Sequence, residues 1–388
     1  MTRGGITQKL SHFIADNAVP IIFILISAAA IPLSGFSASY LIQELLRRIA
    51  RNSFLILSLL IPIMAGMGLN FGMILGAMAG QIGLILITDW AVVGIYGILL
   101  AMIIGTPIAV ALGVLCGNIL NRAKGREMVA SYILGFFING IYQLVVLYVM
   151  GGILPISDPT LVLSRGYGIR NSVDLIGIRT ILDRLLPVRI ESFTVGALHL
   201  EDISIPVATY LIIAVFCLFI VWFRRTKLGQ DMRAIGQDMA VAESAGIPSN
   251  RTRVIAIVIS TVLACYGQII YLQSMGTLST YSSHDQAGVF SIAALLIGGA
   301  SVSRASIGNV FMGVVLFHLM FIVSPPAGKA LMGEAQIGEY FRVFVSYAVI
   351  ALSLVLYAWK RSNERIRARQ AFRGSVETAA VSNKERSR

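Results

Sequence analysis

The sequence has little charge, and this shortage excludes most soluble classes of protein. Charged residues make up 13% of the 388 residues, and hydrophobic residues make up 56%. Soluble domains carry about 25% charged residues. The mean hydropathy is +0.81. These values predict an all-α polytopic membrane protein that resides in a lipid bilayer.

Cysteine is also scarce, and the usual motifs of metal sites and nucleophilic catalysis are absent. The three cysteines, Cys116, Cys217 and Cys265, all lie in or at the end of apolar segments and have no metal-ligand spacing. We therefore interpret them as small buried hydrophobic side chains. The sequence contains no HExxH, CxxC or GxSxG motif. It predicts no metal site and no catalytic residue.

The sequence also lacks a nucleotide-binding loop and charges inside its apolar segments. The pair Gly328-Lys329 is followed by Ala330 and does not fit the phosphate-binding pattern GxxxxGK[ST]. Ion-coupled carriers usually keep a carboxylate within the membrane. Here His318 is the one titratable side chain inside the predicted spans, and we interpret it as a neutral histidine between helices. Any energy for transport then has to come from outside the bilayer.

Ten apolar segments are predicted to span the membrane as helices. We expect the first segment to be retained as a span rather than cleaved as a signal peptide. The predicted spans are Val19–Leu33, Phe54–Leu69, Met73–Thr88, Ala91–Leu115, Met128–Leu154, Ile205–Phe223, Val254–Tyr271, Val289–Ala300, Ser306–Val323 and Phe341–Trp359.

The basic residues predict the orientation of these spans. The net charge of +12 is confined to loops and ends. Basic segments at 118–127, 224–253 and 360–388 fall on one side of a ten-span arrangement, so both termini are predicted to be cytoplasmic. Residues 360–388, with nine basic and three acidic side chains, are predicted to form a disordered tail after a membrane domain at 1–359. The charge pattern favours contact with anionic lipid and not with nucleic acid.

Two further segments are expected at the outer side. Ser37–Ser53 contains Arg47, Arg48 and Arg51, and it is predicted to lie flat as an amphipathic segment. Residues 155–204 form an external loop that is nearly neutral, with five arginines and six carboxylates. Two interpretations of this loop stay open, an amphipathic surface helix and a lid over the bundle. The helical spacing behind both interpretations is that of Leu175, Ile178, Leu182 and Leu185.

The polar segment Lys227–Ile247 is the most informative part of the sequence. It reads as two short helices, the first stopped by Gly236 and the second capped by Asp238 and stopped by Gly246. The second helix spans only about 10 Å, so it cannot bury its own apolar side. That side consists of Met239, Val241 and Ala242, and it indicates a groove on a partner.

This segment resembles the coupling loop of one family of permeases, the membrane subunits of ABC importers for ribose and other simple sugars, nucleosides and branched-chain amino acids. The resemblance implies an ABC ATPase subunit that docks on the loop and holds ATP and magnesium, so this chain needs no cofactor and is not an enzyme. It further implies a second permease in a homodimer or heterodimer, an extracytoplasmic solute-binding protein and a bacterial inner membrane. The resemblance rests on the pattern Leu228-Gly229, Arg233-Ala234-x-Gly236, then Ala240 and Ala242, then Ala245-Gly246-Ile247. It assigns a coupling role to Gly229, Arg233, Gly236, Met239, Ala242, Gly246 and Ile247.

Uncharged polar residues inside the spans are candidates for the solute path. The segment Gly66–Gly72 is similar to a family segment in which a helix breaks near this path, although Gly68 stands where sugar permeases often carry Asp. Single amides also bridge helices, so a structural role stays open for each. An ion-coupled carrier or channel and an intramembrane enzyme are the alternative classes. The uncharged polar residues that could line the path are Asn70, Gln81, Asn139, Tyr142 and Gln143. Of these, Asn70, Gln81, Asn139 and Gln143 are the predicted path residues, and Asn70 is preferred.

Overall fold

The computed structural model describes residues 18–195, 198–334, 336–345, 347–351 and 355, and these residues are mainly helical. Three longer parts of the chain lie outside the described residues. They are residues 1–17, most of 352–359 at the end of the predicted tenth span, and the predicted tail at 360–388. The helices are α1 (Ala18–Ser34), α2 (Ala38–Ser58), α3 (Leu60–Met64), α4 (Met73–Asp89), α5 (Gly94–Arg122), α6 (Glu127–Leu144), α7 (Ile181–Leu185), α8 (Val207–Phe223), α9 (Lys227–Gln237), α10 (Met239–Ser244), α11 (Ser249–Met275), α12 (Ser283–Ile297) and α13 (Ile307–Met332).

Three short antiparallel pairs of strands complete the described secondary structure. A π-helical turn, Val145–Val149, continues α6, and residues 336–345 and 347–351 are also helical. β1 pairs with β6, β2 with β5, and β3 with β4. The strands are β1 (Ser172–Asp174), β2 (Pro187–Ile190), β3 (Phe193–Val195), β4 (Leu198–Leu200), β5 (Ile203–Pro206) and β6 (Thr277–Ser279).

The long helices run between two ends of the bundle, which we name by their composition. The basic end contains residues 64–68, 125–129, 224–239 and 299–307, and members of each of these segments line one common cavity. The strand end contains the paired strands β1 with β6 and β2 with β5. The long helices α5, α6 and α11 each run between the basic end and the strand end, as expected for a chain that crosses a bilayer repeatedly.

Helix α11 lies at the centre of the bundle, between α2, α4 and α5. A glycine permits its close approach to α4, because a Cβ atom on Gly76 would lie 2.1 Å from the carbonyl oxygen of Thr261. Small residues at helix contacts are typical of membrane bundles. Cys116 and Cys265 are buried and Cys217 is half-buried, and all three are free thiols, in agreement with their interpretation as small hydrophobic side chains.

Four described helices are long and apolar enough to cross a membrane. They are α5, α6 with its π-helical continuation, α11 and α13, and α8 with α9 makes a fifth if that bent pair is counted as one span. The bend between α8 and α9 is 74°. The chain is thus a multi-pass helical membrane protein, and the arrangement with ten spans stays a prediction.

The prediction that Ser37–Ser53 forms a separate flat segment is wrong. These residues belong to α2, which continues without interruption to Ser58 and packs against α11 and α13. Arg48 donates to Glu44 over 2.8 Å, and Arg51 lies 3.9 Å from the same carboxylate. Glu44 compensates part of the positive charge of Arg48 and Arg51, so these arginines fit into a packed helix and do not require a segment lying flat.

Residues 155–204 form a cover over the strand end. The helix predicted through Leu175 and Leu185 is limited to α7, because the chain before it pairs with β6 as strand β1. Leu175, Ile178 and Leu182 are each at most 3% exposed. The backbone N–H of Thr180 donates to the carbonyl of Gln273 over 2.8 Å. Of the two interpretations left open by the sequence, the structure favours the cover.

Candidate functional site

Helix α9 begins the segment that the sequence singled out. The Thr226 hydroxyl accepts from the backbone N–H of Gly229 over 3.2 Å, so this threonine caps the helix. Gly229, Met232 and Ile235 are buried, whereas Arg233 is exposed. The helix is therefore amphipathic, with its apolar face on the bundle and Arg233 outside. It runs to Gln237, longer than predicted.

Gly236 does not stop α9, which corrects the prediction. It lies inside the helix, where a Cβ atom would be 2.3 Å from the carbonyl oxygen of Met64. A Cβ atom on Gly66 would in turn be 2.8 Å from the Cα atom of Gly236. Gly66 itself has φ of +72°, in the left-handed region that favours glycine. The two glycines bring α9 directly onto the break that follows α3.

Helix α10 has the ends that the sequence predicts. The Asp238 carboxylate accepts from the backbone N–H groups of Ala240 and Val241 over 2.9 and 3.1 Å. This contact satisfies donors that have no partner within the helix. Gly246 has φ of +83°, and the N–H of Ile247 donates back to the carbonyl of Ala242 over 3.1 Å. The two-helix interpretation of Lys227–Ile247 is confirmed, and the coupling role of its residues stays a prediction.

The exposed apolar side chain of α10 differs from the expected set. Ala242 is 3% exposed and faces its own chain, whereas Val241 is 65% exposed. Met239 and Ile247 are half-buried. The expectation that Ala242 is offered to a partner is therefore wrong for this structure, because the helix turns that side chain inward. Val241 is the residue that a partner would cover.

Sequence reasoning missed an ion pair that anchors this segment. Arg253 donates through Nη2 to Glu127 Oε1 over 2.6 Å, and its Nη1 lies 3.5 Å from the sulfur of Met239. The Arg253 side chain is 2% exposed. Its charge was attributed to the general excess of basic residues in loops. The contact joins α10 and α11 to the start of α6, and only tertiary structure reveals it.

A second contact ties the same segment to the turn between α5 and α6. Glu243 accepts from the hydroxyl of Ser249 and lies 3.5 Å from Lys124 Nζ. The Ser249 hydrogen bond, followed by the positive charge of Lys124, lowers the pKa of Glu243 below its ordinary value. Glu243 therefore stays ionised, and it holds α10 beside the turn.

A cavity of about 1330 Å³ opens at the basic end between α9, the break after α3, and the turn before α13. Four exposed arginines, Arg126, Arg224, Arg233 and Arg304, line it together with Glu127 and Arg253. The exposed arginines make this opening electropositive. Its floor includes Gly66–Gly68 and the loop 299–307.

Asn70 is buried in the break that forms one wall of this region. Its side-chain oxygen accepts from the N–H of Gly72 over 2.9 Å, and the residue is 1% exposed. The neighbouring N–H of Phe71 donates to the hydroxyl of Ser131 on α6 over 3.2 Å. Asn70 thus holds the turn between α3 and α4 and does not itself face an opening here. Its role in transport stays a prediction.

The other three predicted path residues meet in one polar cluster near the strand end. The Gln81 side-chain oxygen accepts from the hydroxyl of Tyr142 over 2.8 Å and contacts His284 Nδ1 at 3.0 Å. His284 Nε2 lies 2.9 Å from the side-chain oxygen of Asn139, and Gln143 donates to that oxygen over 3.4 Å. Three elements, α4, α6 and α12, supply the cluster.

The cluster leads from the protein interior to the surface. Gln81 and His284 are fully buried. Asn139 donates to Asp285 over 3.2 Å, and the Asp285 side chain is 47% exposed. Sequence reasoning placed His284 and Asp285 in a polar loop, whereas they occupy the first turn of α12. Such a set of amides and one carboxylate can donate and accept hydrogen bonds with an uncharged polar solute.

The described residues offer no site for a metal ion. Among them, no group of three His, Cys, Asp or Glu side chains lies close enough to hold one. The chemistry available is therefore hydrogen bonding at the polar cluster and apolar and ionic contact at the basic end.

The family follows from a comparison with known families. Residues 41–354 match the family described as the permease component of the branched-chain amino acid transport system, and the chain belongs to this family. The match begins in α2 and includes both the basic end and the polar cluster, and its last residues, 352–354, lie outside the described part of the chain. No solved structure gives a significant match.

Three curated relatives are similar to parts of the chain. The probable ABC transporter permease protein YphD of Escherichia coli is 25% identical over 46% of this chain and 52% of its own length. The xylose transport system permease protein XylH of Haemophilus influenzae is 31% identical over 37% of this chain and 38% of its own length. The nucleoside ABC transporter permease protein NupB of Lactococcus lactis is 25% identical over 44% of this chain and 45% of its own length. The matched parts span about half of these relatives or less.

Proposed function

We propose that this chain is the membrane-spanning subunit of an ATP-driven importer and forms the path of a small polar solute. The observation that carries the proposal is the structure of Lys227–Ile247, two capped helices that leave Val241 exposed at the basic end. The family match and the ABC permeases among the relatives support it. No observation favours the alternatives of an ion-coupled carrier, a channel or an intramembrane enzyme.

The proposed partners follow from what this chain lacks. The sequence has no phosphate-binding loop, so ATP and magnesium belong to a separate ATPase subunit that docks on the basic end. A solute-binding protein would approach the strand end, and a second permease would complete the path as a homodimer or heterodimer. The chain itself is a transport component and carries no ATPase site.

The arrangement in the membrane is part of the same proposal. The basic end lies in the cytoplasm of a bacterium, because exposed arginines cluster there. The alternation of helices between the two ends supports ten crossings with both termini on the basic side. A cytoplasm-active reporter placed near Arg122 would then work, and the same reporter placed near Asn171 would be silent.

The structure suggests how a movement of the ATPase reaches the path. Gly236 of α9 lies directly on Gly66, and Gly66 belongs to the break that Asn70 closes. A shift of α9 therefore moves the break without an intervening flexible side chain. The cavity at the basic end borders both elements and serves in this proposal as the inner vestibule of the path.

The test is a substitution at the exposed residue of α10. Val241→Glu places a charge in an apolar contact, and we expect it to abolish co-purification of the ATPase subunit and binding-protein-stimulated ATP turnover in liposomes. The matched control for co-purification is Val188→Glu on β2, which is 48% exposed at the opposite end. Stimulated turnover is compared with the wild type, because the binding protein approaches the end that contains Val188. A Val241→Glu variant that retains assembly and stimulated turnover would refute the coupling role of this segment.

A further inference from the structure

Two flanks of α6 differ in chemistry, and this difference indicates which flank faces the solute. Tyr132, Phe136, Asn139 and Gln143 follow one another at intervals of four, three and four residues, so they share one flank. A second flank, about a third of a turn away, carries only apolar side chains. They are Ile133, Phe137, Ile141, Leu144 and Tyr148, each at least 45% exposed.

The mixed flank is connected to both functional regions. At one end, the Tyr132 ring lies 5.3 Å from the ring of Phe71, the residue after Asn70 in the break. Tyr132 in turn lies 4.9 Å from Phe136. At the other end, Asn139 donates to the half-exposed carboxylate of Asp285. The flank therefore runs from the polar cluster near the strand end to the break near the basic end.

Two half-buried amides, Asn139 and Gln143, beside a half-exposed carboxylate are not expected on a surface immersed in lipid. A polar group in hydrocarbon without a hydrogen-bond partner is costly. The buried part of the cluster fixes the exposed part, because His284 and Gln81 orient Asn139 from behind. The Phe136 ring is 64% exposed beside these polar groups, so it presents an apolar surface to the same space.

Resting on the proposed function, we infer that this flank, with Asp285, is the wall of the solute path and recognises a ring that carries neighbouring hydroxyl groups. The carboxylate of Asp285 and the amides of Asn139 and Gln143 exchange hydrogen bonds with the hydroxyls. The rings of Phe136 and Tyr132 cover the apolar face of the solute. A free sugar and the ribose of a nucleoside both offer this chemistry.

The chain provides a matched pair of variants for the test. Phe136 and Phe137 are neighbours with 64% and 65% exposure, one on each flank. In proteoliposomes that contain the complete importer, uptake of labelled xylose and of labelled uridine is measured for wild type, Phe136→Ala and Phe137→Ala. We expect Phe136→Ala to reduce kcat/KM for the transported probe about tenfold, the scale of one lost aromatic contact. Phe137→Ala should stay within about twofold, because nothing in the path contacts it.

Asp285→Asn tests the polar half of the wall. Loss of the charge-assisted hydrogen bonds should reduce uptake about tenfold, while ATPase association stays unchanged. The two probes distinguish a free sugar from a nucleoside as the solute. An importer of free sugars takes up xylose, and an importer of nucleosides takes up uridine.

Several outcomes would overturn the inference. Equal uptake by the Phe136→Ala and Phe137→Ala variants would place the solute elsewhere. Loss of a co-purified second permease from the Phe136→Ala variant would make this flank a subunit interface. Uptake of neither probe by the wild type, with ATP turnover still stimulated by the binding protein, would refute the assigned solute chemistry. Absence of ATP-driven uptake together with absence of ATPase association would instead refute the proposed function itself.

Discussion

The segment Lys227–Ile247 at the basic end, the proposed coupling segment, and the polar cluster near the strand end are built in different ways. The coupling segment is contiguous in sequence, and it takes its shape from backbone features such as the Thr226 and Asp238 caps and the left-handed Gly246. The polar cluster joins side chains from α4, α6 and α12 that are distant in sequence. The first therefore depends on backbone geometry and on the few contacts that anchor it, whereas the second depends on side-chain hydrogen bonds between separate helices.

Loss of the ion pair between Arg253 and Glu127 is the change expected to destabilise the coupling segment most. Arg253→Met leaves Glu127 without its partner at a largely buried site, and removal of one member of such a pair costs about 3–5 kcal/mol. We expect a lower thermal unfolding midpoint of the purified permease and loss of ATPase association. Arg251→Met serves as the control, because Arg251 is exposed and lies two residues away. Equal stability of the two variants would show that the Arg253 contact is dispensable.

A glycine substitution tests the joint between α9 and the break. Gly236→Ala forces a Cβ atom against the carbonyl of Met64, and overpacking of this kind costs about 1–3 kcal/mol. We expect the permease to assemble with its ATPase, with ATP hydrolysis no longer coupled to uptake. Gly140→Ala is the matched control, because a Cβ atom on Gly140 meets nothing within 4 Å. If the Gly236→Ala variant still transports solute at the wild-type ratio of ATP hydrolysed to solute taken up, the contact between α9 and the break is not needed for coupling.

The smallest expected effect concerns a single hydroxyl in the polar cluster. Tyr142→Phe removes the hydrogen bonds to Gln81 and to the carbonyl of Thr280, which should destabilise the protein by about 1 kcal/mol. Tyr148→Phe, on the apolar flank and 56% exposed, should have no effect. Thermal unfolding in detergent measures both variants. A Tyr142→Phe variant as stable as wild type would mean that the cluster is less dependent on individual bonds than the comparison requires.

Sequence reasoning predicted the parts of the fold that local rules control. The caps at Asp238 and Gly246 follow from short-range preferences, and the apolar segments predict helices without tertiary information. The same rules failed at Gly236. Glycine is required there because the backbone approaches the Met64 carbonyl closely, and not because a helix ends there. They also failed at Ser37–Ser53, because the pairing of Glu44 with Arg48 makes a charged helix fit the bundle.

The candidate path was predictable in composition and not in arrangement. Gln81, Asn139 and Gln143 were selected as polar residues in apolar surroundings, and they do meet. His284 and Asp285 were missed because α12 begins earlier than its apolar run at Val289. Polar residues at the first turn of a buried helix give no periodic signal, so only the contacts of the folded chain assign them to the cluster.

The pairing of β1 with β6 makes the cover and the polar cluster one mechanical unit. β6 is followed at once by Thr280, whose N–H and hydroxyl both donate to the cover, at Asn171 and Arg170, over 2.7 Å. The carbonyl of the same Thr280 accepts from Tyr142 in the cluster. Thr280 therefore connects the cover directly to the start of α12 and to Tyr142. Under the proposed function, an outer partner that displaces the cover would act on the proposed solute wall through this one residue, without contacting the wall.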